Sequence, residues 1–484
     1  MSTTLPIPEH HDLRRPKVPL HSGPVPDSIL RAFAHRHSLR LADLSTSLSS
    51  GLPRISADSD DSADESSSPV SSVERFRAIP SRAVIERVVA LRDGSEARSY
   101  IPLSRESLRD RSQAGLAERF DGEFLRAAVR PRHARGAREV RVADLFAGCG
   151  VMSLGLWEAC RAVSARMVPV LAVDSNEVAL AVYRSNFAGA LTIPSPIERL
   201  VDGDLGSPVT ATERNLLSRI GRVDVLIGGP PCQGHSNLNN HTRRIDLKNA
   251  LYARMARFAE IAQPTHVVIE NVTAVRHDRG RVVDRTVAHL HALGYTVDDG
   301  VVETVGIGVA QRRRRHLVVA SRDVALKVES LNTIYERPER SVMWAIGDLV
   351  RAPSVGEFDT ASTPSVTNAA RIERLFRDRL YDLPDEARPD CHRLRAHTYK
   401  SVYGRLRPDA PAQTITSGFL SMGQGRYVHP TQKRLITPHE AARLQFVPDF
   451  FDFSAAAGRT ALAEMIGNAV PSKLAYVVGL ELLR

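Results

Sequence analysis

Cys232 is one of four cysteines in 484 residues, and it stands in the stretch DVLIGGPPCQGHS, residues 224–236. The apolar run at 225–227 stops at Gly228 and Gly229, which permit unusual backbone angles, and Pro230 and Pro231 then fix φ. A loop this stiff, directly after a strand, suits a side chain that must be aimed. A thiolate is a strong nucleophile once nearby positive charge or helix N–H groups lower its pKa. A second reactive pair closes the run VVIEN, where Glu270 and Asn271 follow three apolar residues. A carboxyl at the lip of an apolar strand is partly desolvated, so it holds its proton nearer neutrality and can act as an acid. Third comes QRRRRH, residues 311–316, in which Arg313 and Arg315 share one face of an extended segment. Taken singly, each has a plainer explanation: a small buried thiol, a helix cap or ion pair, a solvated basic run.

A glycine turn adds a different chemistry. AGCG, residues 147–150, follows an apolar run and leads into the helical VMSLGLWEAC. Gly148 and Gly150 would let backbone approach a ligand at a helix N-terminus, although Ser153 stands where the third glycine of GxGxxG belongs. Asp174 ends the next apolar run, roughly 20 residues on, where a carboxylate can accept from ribose hydroxyls. DGDL, residues 202–205, offers Asp204 as another polar anchor. Together these outline a nucleoside site, and the absence of GxxxxGK[ST] argues against a triphosphate.

These groups need a scaffold that gathers strand ends. VRVADLF (140–146), VPVLAVD (168–174), VDVLIGG (223–229), THVVIEN (265–271) and RHLVVAS (315–321) are short aliphatic runs separated by helical segments. One such segment, 247–263, repeats Leu247, Leu251, Met255, Phe258 and Ala262 at helical spacing. The pattern predicts an α/β fold with a doubly wound parallel sheet covered on both faces, whose ligands sit beyond the strand C-termini. Residues 139–321 form this unit. Residues 1–72, which include the acidic ADSDDSADESSS, read as a disordered tail. Residues 73–138 form an extension with a hairpin turning at Asp93–Gly94 and a helix within 105–129. Residues 322–436 are irregular and, up to about 404, Arg-rich, and 437–484 recover helical patterning behind Thr437 as N-cap and Pro438.

Lys and Arg total 65 against 55 Asp and Glu, a net charge of +10, which suits a polyanionic partner. The cysteines show no CxxC spacing, so neither a disulfide framework nor a structural zinc site is expected, and a reducing cytoplasm is. No apolar run approaches the length of a membrane span, and the N-terminus carries no secretory signal.

In order along the chain, DLFAGCGVMSLGL, GGPPCQGHS, ENV, QRRRRH, RLRPDAPAQTIT (405–416), ARLQFVPDFF and GNAVPSKLA (467–475) resemble the motifs of the DNA cytosine-5 methyltransferases of bacterial type. The resemblance runs from about Val140 to Arg484 and leaves residues 1–138 uncovered. It implies a Rossmann-like catalytic domain with a smaller target-recognition domain at 322–436, and it implies S-adenosylmethionine as cofactor. That cofactor would lie over Phe146, Gly148 and Gly150, with Asp174 on the ribose, Asp204 and Leu205 at the adenine, and Ser175 among its contacts. Pro230, Asn468 and Ala469 would complete the pocket. Cys232 would attack C6 of a flipped-out cytosine, Glu270 would act at N3, and Asn271 would hold the site. Arg315 would contact the base, Arg313 the Cys loop or a phosphate, and Gln311 would share the catalytic cluster. Gln233, Ser236, Arg405 and Thr414 would touch the DNA.

Three positions depart from the commoner pattern: Val151 for a second glycine, Asp174 for Glu, and His235 for Phe. The resemblance further implies double-stranded DNA as partner, a monomer on that DNA, a prokaryotic nucleoid-associated setting and a restriction-modification or defence role. An RNA cytosine methyltransferase or a catalytically silent DNA-binding regulator are the alternatives. The Arg-rich recognition segment and Ser236 favour DNA, and the intact Cys232, Glu270 and Arg315 favour catalysis.

Overall fold

The computed structural model describes residues 73–104, 115–134, 136–231, 250–278, 280–393 and 401–484. The expected tail at 1–72 lies outside them, as do Cys232, Gln233, His235 and Ser236.

The extension opens with strands β1 (Glu74–Ile79), β2 (Val84–Ala90) and β3 (Glu96–Pro102), an antiparallel sheet in that order. The β2–β3 hairpin turns at Asp93–Gly94 as expected, with Gly94 at φ +82° and the Asp93 carboxylate accepting from the Ser95 N–H. Helix α1 (Leu116–Leu125) falls inside the predicted window.

The central sheet follows. Its elements are β4 (Arg138–Leu145), α2 (Val151–Ala162), β5 (Ala165–Asp174), α3 (Glu177–Asn186), β6 (Leu191–Pro194), α4 (Ala211–Ile220) and β7 (Val225–Gly228). Then come α5 (Ala250–Ala262), β8 (His266–Asn271), α6 (Val282–Ala292), β9 (Thr296–Glu303), β10 (Gln311–Arg312) and β11 (Arg314–Ser321). Seven strands pair in the order β6-β5-β4-β7-β8-β11-β9. Strands β7 and β8 are buried at every residue, as central strands covered on both faces must be. Alternate side chains of β4 feed the two cores. Val140 and Val142 join α2, while Ala143 and Leu145 join Leu216, Met255 and Phe258.

The sheet is not wholly parallel, which corrects the expectation. Strand β11 runs antiparallel to both β8 and β9. The connection from Glu303 to Gln311 is too short for the crossover that a parallel neighbour requires. Strands β6 and β9 were not anticipated. The former is four residues long, and the latter carries Asp298, Asp299 and Gly300 at its centre, which hides its apolar pattern.

Beyond the sheet lie α7 (Val366–Arg377), β12 (Ala412–Gln413), α8 (Pro438–Leu444), α9 (Gly458–Asn468) and α10 (Ser472–Leu483). Strand β12 pairs parallel with β10, which ties the irregular region to the entry of β11. Thr437 and Glu440 cap α8 reciprocally, with Pro438 in the first turn. Helix α10 is buried at every residue and packs along α2. A Cβ on Gly155 would lie 2.0 Å from the Ser472 carbonyl oxygen, and one on Gly479 2.7 Å from Leu156 Cδ1, so both glycines set the closeness of that contact. No helix among the described residues is long and apolar enough to cross a membrane.

Candidate active site at the strand ends

The turn after β4 concentrates backbone that side chains rarely adopt. Phe146, Gly148 and Gly150 have φ of +60°, +52° and +90°. At Gly150 the demand is double, because a Cβ there would stand 2.7 Å from both the Tyr183 and Phe187 rings. At Gly148 nothing lies within 4 Å of the Cβ position, so the turn presents open space in front of bare backbone. Asp174, at the tip of β5, accepts from the Gly148 N–H at 2.8 Å and from the Asn176 N–H at 2.8 Å. Each carboxylate oxygen retains a second lone pair for a ligand hydroxyl. A small cradle at a helix N-terminus with a carboxylate at its rim fits a nucleoside bearing an amino-acid arm.

Under the turn, Ser153 Oγ donates to Asp144 Oδ2 at 2.6 Å and lies 3.1 Å from the Tyr183 hydroxyl. The residue that breaks the glycine fingerprint thus serves a buried polar cluster, and the helix-packing glycine stands two residues later at 155. Burial pushes the Asp144 carboxyl up to about 7, against the opposing Ser153 hydrogen bond.

The remaining cofactor candidates are distributed unevenly. Ser175, Asp204 and Asn468 are exposed, Leu205 and Ala469 are half-buried, and Pro230 is buried. The 202–207 loop rests on a pair that sequence reasoning missed. Glu213 accepts from the Gly203 N–H at 3.0 Å and from Arg257, whose guanidinium also donates to the Ser207 carbonyl at 2.8 Å. The capping box of Thr210 and Glu213 was the available signal.

Glu270 and Asn271 meet the root of the Cys loop. A Cβ on Gly229 would lie 3.1 Å from Glu270 Oε2, and Asn271 Nδ2 donates to the Pro230 carbonyl at 3.1 Å. Glu270 is buried, and Arg315 Nε stands 2.7 Å from its Oε1. Burial raises the Glu270 pKa above its ordinary value; the Arg315 and Arg313 charges oppose that shift without cancelling it. Cys149 and Cys160, by contrast, are buried thiols pushed up to about 12 by desolvation, which leaves them poor nucleophiles.

The charges of Arg313 and Arg315 both act on Glu270, yet their surroundings differ. Arg313 is 3% exposed and donates to the Ile415 carbonyl at 2.9 Å and the Gly467 carbonyl at 3.4 Å. Its described partners are framework carbonyls, not the Cys loop or a solvent-facing position where a phosphate could dock. Gln311 is fully buried between the Leu444 carbonyl, Gln445 and the Ile415 N–H. Thr414 Oγ1 donates to the Arg312 carbonyl. Arg405 donates twice to the Pro430 carbonyl and lies 3.9 Å over the Phe376 ring. These four side chains fasten 311–315 and 405–416 to their neighbours. Arg315, 13% exposed at its side chain, is the arginine of the run that reaches the acid.

Comparison with known proteins gives the family. The family model for the C-5 cytosine-specific DNA methylases matches residues 140–484. Type II methyltransferase M1.BsuMI of Bacillus subtilis is 45% identical over 398 residues, covering 82% of this chain and 92% of that protein. Type II methylase M.HgiDII of Herpetosiphon aurantiacus is 30% identical over 354 residues, covering 71% and 95%. Among solved structures, the S. pombe Dnmt2 methyltransferase shares the fold with a TM-score of 0.50 at 17% identity, over 71% of this chain and 98% of that one. The chain belongs to the C-5 cytosine-specific DNA methylases, enzymes that act on cytosine in DNA.

Proposed function

We propose that the chain methylates C5 of a cytosine flipped out of double-stranded DNA, with S-adenosylmethionine as donor and Cys232 as nucleophile. The observation that carries this reading is the contact of Glu270 and Asn271 with Gly229 and Pro230, which brings a proton-retaining carboxyl to the root of the loop bearing Cys232.

Cytosine C5 is a weak nucleophile until the 5,6 double bond is opened. The Cys232 thiolate adds to C6, and the electron pair moves toward C5 and N3. Glu270 donates to N3 and stabilises the charge that develops there, while Arg315 holds the carboxyl and faces the base. S-adenosylmethionine, when bound, supplies the electrophilic methyl group that C5 takes. Loss of the C5 proton and elimination of Cys232 then restore the aromatic ring. A stacked base is out of reach of this chemistry, so the target leaves the helix.

On the cofactor side, Gly148 and Gly150 admit the amino-acid arm, and Asp174 accepts from ribose hydroxyls with Ser175 beside it. Asp204 and Leu205 border the adenine, and Pro230, Asn468 and Ala469 close the pocket. Arg313 and Gln311 fix the framework behind Arg315. Gln233 and Ser236 contact the DNA, joined by residues of a target-recognition region within 322–436. The type II relatives suggest a restriction-modification setting, with the enzyme acting as a monomer on DNA in the prokaryotic cytoplasm.

Bisulfite sequencing of DNA from cells expressing the protein tests the reading. Protected cytosines in one fixed sequence context are expected. Unmodified DNA, with tritiated methyl transfer to tRNA alone, would replace it with the RNA alternative.

A further inference from the structure

Charged side chains are buried where the extension meets the rest of the fold. Arg87 on β2 is 2% exposed and reaches two helices at once. Its Nη2 lies 2.9 Å from Glu158 Oε1 on α2, and its Nη1 donates to the Tyr476 hydroxyl on α10 at 3.0 Å. Its Nε donates to Ser99 Oγ on β3, and its guanidinium stands 4.8 Å from the Phe120 ring of α1. Asp121 on α1 forms ion pairs with Lys473 Nζ of α10 at 2.8 Å and with Arg340 at 2.7 Å. Glu74 on β1 pairs with Arg337 and accepts from the Tyr476 hydroxyl. The cavity among these groups has room for about one water, so it is not a ligand site.

One of the helices so held starts at the cofactor turn, and the other packs along it. Helix α2 begins at the Gly150 cap, and α10 begins three residues after Ala469. Lys473 sits in the first turn of α10, where a cation opposes the helix dipole, and Asp121 offsets it. Apolar packing attaches the extension already: Val89, Ala97, Phe124 and Leu125 belong to the core that holds α2 and α10. Buried ion pairs add little to such attachment, because desolvation consumes most of their attraction.

We propose that residues 73–104 and 115–129 are a positioning element of the cofactor site, with Arg87 and Asp121 as positioning residues that set α2 and α10, and so hold the Gly148–Gly150 turn against Asn468 and Ala469. This rests on the S-adenosylmethionine reading given above. The extension thereby acts on cofactor affinity without touching cofactor or DNA.

The test uses the full chain and two variants, because removing one member of a buried pair risks unfolding. Asp121→Asn with Lys473→Gln removes that charge pair together at similar volume and leaves the new carboxamide oxygen to accept from Arg340, while Tyr476→Phe deletes one hydroxyl that joins Arg87 and Glu74. S-adenosylmethionine binding is measured by calorimetry without DNA, and duplex binding separately. The expected result is a dissociation constant for S-adenosylmethionine raised about tenfold in the double variant and several-fold in Tyr476→Phe, with duplex affinity unchanged. Unchanged cofactor affinity with only a lowered melting temperature would overturn the proposal, as would equal losses for cofactor and DNA. If the wild type itself binds no S-adenosylmethionine, the cofactor reading falls and takes this proposal with it.

Discussion

Arg315 Nε lies 2.7 Å from Glu270 Oε1, and yet the Glu270 carboxyl still holds its proton above the ordinary carboxylate range. Burial at the tip of β8 outweighs the charge beside it. The pair therefore has an acid that stays protonated further up the pH scale and a cation that fixes its orientation.

Glu270→Gln keeps a hydrogen-bond donor for N3 but no transferable proton. Methylation should fall by roughly 10²–10⁴, the usual worth of general acid catalysis, with duplex binding retained. In the wild type the protonated form exists below the raised pKa, so a rate that depends on it is lost as pH rises through that value. The Gln variant should lack this basic limb. Rates measured against pH for both enzymes decide it, and an identical limb in the variant would assign the titration elsewhere.

Asp144 titrates under the glycine turn, with its carboxyl moved from 3.8 to about 7 by burial. Its folded pKa exceeds its unfolded one, so the folded state binds more protons between those values. The stability it contributes is full below about pH 4 and is lost as pH rises through about 7. Asp144→Asn removes that dependence. Its melting temperature relative to wild type should be more favourable at pH 8 than at pH 5, and a constant offset at both would contradict the burial argument.

Gly155→Ala places a Cβ 2.0 Å from the Ser472 carbonyl oxygen and 2.8 Å from Ala475 Cβ. Helix propensity favours Ala by about 1 kcal/mol, but overpacking between two buried helices costs about 1–3 kcal/mol or more, since the obstruction includes backbone. Urea denaturation should show a net loss of stability. An unchanged or raised midpoint would mean that α2 and α10 separate easily.

Much of this was legible in the sequence because strand-end chemistry is local. Gly148, Asp174, Glu270 and Asn271 stand at the ends of apolar runs, and those runs are strands β4, β5 and β8. The Asp93–Gly94 hairpin and the Thr437 cap are likewise short-range features. What escaped depends on contacts distant along the chain. The antiparallel sense of β11 follows from a short link and not from its own residues. Gly155 looks like an idle helical glycine until α10 lies against it. Arg313 and Gln311 read as site residues because of their neighbours in QRRRRH, while their partners, Ile415, Leu444 and Gly467, lie over 100 residues away. The charges joining the extension to α2 and α10 are equally long-range, Arg87 and Tyr476 being 389 residues apart.

The central claim is that Cys232 attacks cytosine C6, and trapping tests it most directly. Duplex DNA carrying 5-fluorocytosine at the target blocks loss of the C5 substituent, so the adduct cannot resolve after methyl transfer. Incubated with S-adenosylmethionine, the wild type should form a denaturant-stable protein–DNA species whose modified peptide contains Cys232, and Cys232→Ala should form none. Methylation by Cys232→Ala, or an adduct mapped to another residue, would contradict the account.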